Sequence, residues 1–299
     1  MPLVASGAAS VQHVLDALSS GSLYAMFALG LSLIFGVVRL VNFAQGAIIM
    51  GAAYTILATS SLPVVVVLVL AVSVAVCLSL LVDRLAFRPF RNASPTTLLV
   101  TSFVVGSLIQ SVAEMVDNNT PRFVDVSTWL DGSFKAGEVA MTRISVITFG
   151  TTLALMIGLA VFLRRTRTGT EMRAAADNFQ MARALGVRSH RVIGLAFAIS
   201  GALAGISSFL FIAQTGTVQP TVGATPLLFG FVGTVIGGLG SISGAVAGGF
   251  LLGVLAEVLQ SELPTSLIPY TNAILFAAVF VLLVFRPRGL FGSTAGERI

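Results

Sequence analysis

Runs of about 20 apolar residues, the length a helix needs to cross a bilayer core, recur along almost the whole chain and fix what it can fold into. They lie near 14–37, 44–60, 63–82, 96–113, 144–163, 192–213, 226–239, 244–260 and 271–285. The seventh is short and rich in glycine, so the expectation is eight or nine transmembrane helices. Only 10% of the residues are charged and 56% are hydrophobic, whereas soluble domains carry about 25% charged residues. The fold class that follows is all-α: a polytopic integral membrane protein, one membrane-embedded domain over 1–299 with little mass outside the lipid.

Charge sets the orientation. Arg39, then Arg84, Arg88 and Arg91, then seven arginines from Arg164 to Arg191, then Arg286, Arg288 and Arg298 fall on alternate connections. They make up 14 of the 17 basic residues, and the positive-inside bias places that side in the cytoplasm. The 114–143 connection instead holds Glu114, Asp117, Asp125, Asp131 and Glu138 and belongs outside. Parity over nine crossings then puts the N-terminus outside and the C-terminus in the cytoplasm. The net charge of +5 reflects this loop bias, so no nucleic-acid partner is expected; the partner everywhere else is membrane lipid. The first residues lack the basic n-region and small-residue cleavage site of a signal peptide, which leaves the first span to direct insertion.

Several chemistries are excluded. Lys135, the single lysine, is followed by alanine, so the chain holds no phosphate-cradling glycine–lysine–serine/threonine loop. If ATP drives this protein, another subunit hydrolyses it. Cys77 stands alone, and the two histidines, His13 and His190, are far apart, so neither a disulfide nor a metal cluster is expected, and no cofactor in this chain. No nucleophile–base pair stands out, and no catalytic residue is assigned.

Polar and glycine-rich stretches inside the apolar runs mark a candidate path. In "VNFAQG", Val41 to Gly46, the amides of Asn42 and Gln45 open an apolar run. Amides without partners are costly in hydrocarbon, so they face either a neighbouring helix or a water-filled cavity, with Gly46 beside them. "GGLGSISGAVAGG", Gly237 to Gly249, is too rich in glycine for a lipid-facing helix. Gly238, Gly240 and Gly244 permit either close helix packing or a broken helix whose backbone lines a cavity. Glu257 and Asp16 lie near span ends, where acids reach the headgroups. The segments "GSLYAMFALGLSLIFG" and "ISGALAGISSFL" resemble each other faintly, in the manner of inverted transporter repeats.

The stretch "EMRAAADNFQMARALGVRSH", residues 171–190, is polar, rich in helix formers and flanked by membrane spans. Asp177 or Asn178 can cap a helix over 178–185, with Gln180 three positions after Asp177 as in a capping box and Gly186 at the left-handed C′ position. Phe179, Ala182 and Leu185 fall on or near one side of it. A helix of two turns is marginal alone in water. It is either a connector ordered by headgroups and its own spans, or a docking element for a cytosolic partner.

Four segments carry a resemblance. "RAAADNFQMARALGVRSHRVIGLAFAISGALAGISSFL", "GSLYAMFALGLSLIFGVVRLVNFAQGAIIMGAAYT", "GFVGTVIGGLGSISGAVAGGFLLGVLAEVL" and "YTNAILFAAVFVLLVFRPRGLFG" are similar to the ATPase-coupling loop, the N-terminal signature, the glycine-rich segment and the closing helix of the branched-chain amino-acid ABC permeases. The compact length resembles the shorter, first permease subunit of that import system. The resemblance implies a coupling loop over 164–191 that docks an ATPase subunit, through Arg173, Asp177, Asn178, Phe179, Gln180, Ala182, Leu185 and Gly186. It also implies a second, related permease, ATPase subunits that hold the ATP, and an external solute-binding protein, with the chain in a bacterial inner membrane. One departure stands out: after "NFA" the family commonly has histidine, glycine and an acid, where this chain has Gln45, Gly46 and Ala47.

The expected function is a permease subunit of an ATP-driven importer for branched-chain or related amino acids. Two alternatives are a stand-alone channel or facilitator and an ion-coupled secondary transporter, for small polar solutes such as amides or urea. A channel leaves the capped helix at 178–185 without a task, and an ion-coupled transporter usually buries acids or histidines in mid-span.

Overall fold

The structure is a computed structural model that describes residues 2–290 except 91–92, 118–119, 127–129, 131, 137–138, 265 and 287–288. Arg91, Asp131, Glu138, Arg288 and Arg298 therefore lie outside the described residues, and so do the side chains of Asp177, Phe179 and Gln180.

Among the described residues eleven α-helices carry the fold: α1 (Pro2–Val38), α2 (Gln45–Thr59), α3 (Val64–Val82), α4 (Pro95–Asp117), α5 (Arg143–Arg165), α6 (Arg167–Asp177), α7 (Phe179–Ala184), α8 (Ser189–Thr215), α9 (Ala224–Gly237), α10 (Ile242–Glu262) and α11 (Thr271–Phe285). Seven apolar helical segments are long enough to span a membrane: Gln12–Val38, Val64–Phe87, Pro95–Asp117, Arg143–Arg165, His190–Thr215, Ile242–Glu262 and Ile268–Phe285. The other two apolar runs form shorter helices, so the described residues hold seven full-length candidate spans and two short apolar helices. α2 has 15 residues and α9 has 14. At about 1.5 Å per residue each covers only about 21–22 Å of a hydrocarbon core roughly 30 Å thick.

The segments that lead into α2 and α9 fold back. Gln45 opens α2 beside Gly30, two turns before the end of α1, so residues 39–44 run back along α1. On the other side of the bundle, residues 216–223 leave α8 and bring Gly223 to the first turn of α2. The packing partners follow the same scheme. α1 packs most extensively on α10 and α8 on α3; α1 also meets α9 as α8 meets α2, and α2–α3 corresponds to α9–α10. The packing partners of α1–α4 therefore correspond to those of α8–α11, with α5 to α7 between the two sets.

Lipid is as apolar as leucine, so these helices associate through close backbone approach and hydroxyl bonds rather than water exclusion. Gly249 and Gly253 of α10 sit against Ala25 and Gly21 of α1, and Gly201 and Gly205 of α8 against Val76 and Val72 of α3. Short hydroxyl bonds pin α8 to three neighbours: Ser79 of α3 donates to the Phe197 carbonyl at 2.6 Å, Ser200 to that of Gly30 in α1 at 2.8 Å and Ser208 to that of Ile49 in α2 at 2.8 Å. α1 and α8 are the most enclosed long helices, α4 and α11 the least.

Two small sheets decorate the end opposite the arginines. β1 (Arg122–Phe123) pairs antiparallel with β4 (Thr217–Val218), and β2 (Ser133–Ala136) with β3 (Val139–Thr142). Asp117 ends α4 in an ion pair with Arg122 and accepts the Tyr54 hydroxyl at 2.8 Å, which ties this connection to α2. Glu257 does not reach outward as an isolated interfacial acid; it accepts a bond from the Ser20 hydroxyl of α1 at 2.9 Å.

Candidate functional site

The first turns of α2 and α9 meet in the interior. A Cβ at Gly46 would lie 2.9 Å from the Gly223 carbonyl oxygen, a separation that side-chain atoms do not adopt against backbone. Only glycine at both positions lets the two helix starts approach. Beside the contact is a cavity of about 540 Å³, within the usual size of small-ligand sites. Gly46, Ala47 and Met50 of α2, with Gly223 just before α9 and Ala224, Leu227, Leu228 and Phe231 within it, form one wall. Leu99, Val100, Phe103, Gly106, Ser107 and Gln110 of α4 form the other, with Phe43 and Pro220 from the two folded-back segments.

No ionisable side chain is among the described residues of this lining. Its polarity comes from Ser107, Gln110 and the two helix starts. The first N–H groups of a helix have no intrahelical acceptor and carry a partial positive charge, so two starts at one point favour an anionic group there. Gln110 commits its amide nitrogen to Glu114 at 2.8 Å, which fixes its orientation. The remaining surface suits an apolar group.

The sequence-derived path residues separate. Gly46 lines this cavity. Gln45 does not: it is 2% exposed, and its side-chain oxygen accepts the Ser200 hydroxyl at 3.4 Å. Positions 45 and 47 are about 200° apart around a helix, so Ala47 faces the cavity as Gln45 faces the core. Asn42 is fully buried; its Oδ1 accepts the Ala44 N–H at 3.1 Å. Its Nδ2 has no hydrogen-bond partner among the described residues. Gly238, Gly240 and Gly244 are not brought to the same place. Gly238 and Gly240 form the α9–α10 turn with φ of 98° and 93°, and Gly244 starts α10 against Gly237, its N–H held by the Ser241 cap at 3.0 Å. Gly240 instead borders a second cavity of about 450 Å³ with Arg173, Gly36 and Val37.

That second cavity lies at the arginine-rich end, under α6. Thr166 caps α6 by accepting the Gly169 N–H at 3.0 Å, and Asn178 caps α7 through the Met181 N–H at 3.0 Å. Asp177 is the last residue of α6 and Gln180 the second of α7, so of the two expected caps the N-cap position falls to Asn178. Gly186 takes φ +88°. Bonds from Gly186 N–H to the Arg183 carbonyl and from Val187 N–H to that of Ala182, both 3.0 Å, complete a Schellman ending. Met172, Ala175 and Ala182 are buried against Leu33, Leu159 and Leu163. Leu185, expected on the face of Ala182, points the other way and is 79% exposed, next to Met181 at 60%. It stands past the last helical turn, where the backbone has already left helical geometry. Arg39 donates from Nε to the Ala176 carbonyl at 2.9 Å, joining the end of α6 to the start of the 39–44 segment.

A protein-family model described as the permease component of branched-chain amino acid transport systems matches residues 13–284. The chain belongs to this permease family. It is 30% identical over 305 residues to the high-affinity branched-chain amino acid transport system permease protein BraD of Pseudomonas aeruginosa, covering 97% of this chain and 98% of that one. LivH of Escherichia coli, with the same description, is 28% identical over 305 residues and covers 97% of each chain. Among solved structures, an inward-facing metal-chelate type ABC transporter covers 91% of this chain and 87% of its own, at 16% identity and a TM-score of 0.47.

Sequence reasoning missed several residues of the permease. Gly223 and Pro220 sit in "QPTVGATP", a proline–glycine connection that mirrors the non-helical lead into α2. The cavity-facing residues of α4 gave no signal, because Phe103, Gly106 and Ser107 read as ordinary span residues.

Proposed function

We propose that the chain is the translocating subunit of an ATP-driven importer for branched-chain or related amino acids, a multi-pass protein of the bacterial inner membrane. The carrying observation is the cavity where α2 and α9 begin: two helix starts for a carboxylate, Ser107 and the Gln110–Glu114 pair on the polar side, and Met50, Phe103, Leu227 and Phe231 for an aliphatic side chain. The cavity is open on one side toward exposed residues of α4, and a second, related permease would close it. The α6–α7 segment would dock a separate ATPase subunit through exposed Met181 and Leu185, with Arg173, Asn178 and Gly186 shaping the surface. An external binding protein would deliver the substrate at the β1–β4 end, with the N-terminus on that side and the C-terminus in the cytoplasm, as the arginine distribution supports. Residues 1–299 then act as one domain.

The test is purification of the tagged chain in mild detergent with identification of what accompanies it, followed by reconstitution with those proteins and radiolabelled leucine. A P-loop ATPase and a second permease should co-purify, and uptake should need ATP and the binding protein. A homo-oligomer that admits solute without ATP would replace this reading with a facilitator.

A further inference from the structure

Each half-length helix is preceded by a turn that leaves a long helix and folds back, and the two turns share one backbone geometry. After α8, Gly216 has φ +64° and its N–H donates to the Ile212 carbonyl at 2.8 Å. After α1, Arg39 has φ +57° and its N–H donates to the Phe35 carbonyl at 2.8 Å. A left-handed residue at a helix end is ordinarily glycine, and Gly216 shows that this turn is met by one. Arg39 is the one non-glycine residue with positive φ among the described residues. An arginine held where glycine would serve without strain has work for its side chain.

That work is visible. The Arg39 Nε donates to the Ala176 carbonyl in the last turn of α6, at 2.9 Å. The C-terminal end of a helix carries a partial negative charge, so a guanidinium suits it better than a neutral donor. Beyond Ala176 the chain passes at once into Asn178, the cap of α7. Beyond Arg39 it passes, without a helix, to Phe43 and Gly46 in the wall of the cavity. Between them Asn42 keeps a buried Nδ2 without a partner among the described residues. The Phe43 N–H bonds the Ser102 hydroxyl of α4 at 3.2 Å, which brings the opposite wall onto the same segment.

We infer that Arg39 is a positioning residue that transmits movement of α6 and α7 to the first turn of α2, and so to the shape of the cavity. This rests on the reading of α6–α7 as the ATPase dock. The experiment uses the whole transporter, with its ATPase and binding-protein partners, in proteoliposomes. Arg39→Ala, Arg39→Gly and Arg39→Lys are compared for recovered ATPase, for ATP hydrolysis stimulated by loaded binding protein, and for leucine uptake. The expected result is normal recovery of the ATPase with all three. Uptake per ATP should fall about tenfold in Arg39→Ala and Arg39→Gly, the size of a typical coupling between sites, and stay near wild type in Arg39→Lys, whose ammonium reaches the same carbonyl. Because Arg39→Gly relieves the backbone, its failure would assign the effect to the lost side-chain tie. Full coupled uptake in Arg39→Gly overturns the inference alone. Loss of ATPase recovery confined to the variants also overturns it, making Arg39 part of the dock. A wild-type chain that recovers no ATPase overturns the docking reading and this inference together.

Discussion

Gly186 and Gly223 are glycines for opposite reasons. Gly186 has φ +88° and open space where a side chain would go, so a substituent there meets conformational strain and no clash. Gly186→Val should weaken the end of α7 by about 1–2 kcal/mol, and Gly186→Asn by less, since asparagine visits the left-handed region more readily. Amide hydrogen exchange across α7, read beside the ratio of ATP hydrolysed to leucine imported, checks the ranking. Equal exchange in Gly186→Val and wild type would remove the C-cap argument. Gly223 has an ordinary φ of −78° but lies against the Gly46 backbone. Gly223→Leu should separate the helix starts and abolish uptake while the chain still reaches the membrane. Surviving transport would mean that the two starts need not meet.

At the scale of elements, caps decide what a short helix can do. Asn178→Ala removes the acceptor for the Met181 N–H and should cost α7 about 1 kcal/mol, visible as faster exchange over 179–184. The end of α7 was legible in the sequence because Gly186 follows a run of helix formers, and Asn178 was one of two residues proposed for its start. α6 was not read as a separate helix. Its cap, Thr166, sits among arginines that read as a charged loop, and its buried face is the narrow stripe of Gly169, Met172 and Ala175. The half-length of α2 and α9 escaped for a related reason. Hydropathy marks a run as apolar whatever its length, and the runs at 44–60 and 226–239 read as crossings although they are hardly longer than α2 and α9 themselves. Of the two orientations open for the amides, a neighbouring helix or a cavity, Gln45 takes the first, facing Ser200, while Gly46 lines the cavity. Gly238 and Gly240 were read for their composition, which is the same for a turn and for a cavity wall.

For the whole molecule, the absence of ionisable groups among the described cavity residues predicts energetics. Collapsing the proton gradient in ATP-loaded vesicles should leave leucine uptake unchanged, and depleting ATP should stop it; the reverse pattern would favour ion coupling. Orientation is tested in a Cys77→Ala background with single cysteines at Ser60 and Arg183. A membrane-impermeant maleimide applied to intact cells should label position 60 and spare position 183, and the opposite result would invert the topology. The meeting of Gly46 and Gly223 has a further consequence for biogenesis. α2 is too short to settle across a bilayer by its own hydrophobicity, and the element that meets its first turn is synthesised only after α3 to α8 have left the ribosome. During that interval the nascent chain carries an unfinished crossing, so truncation before α9 should leave α2 accessible to protease and the fragment short-lived in the membrane.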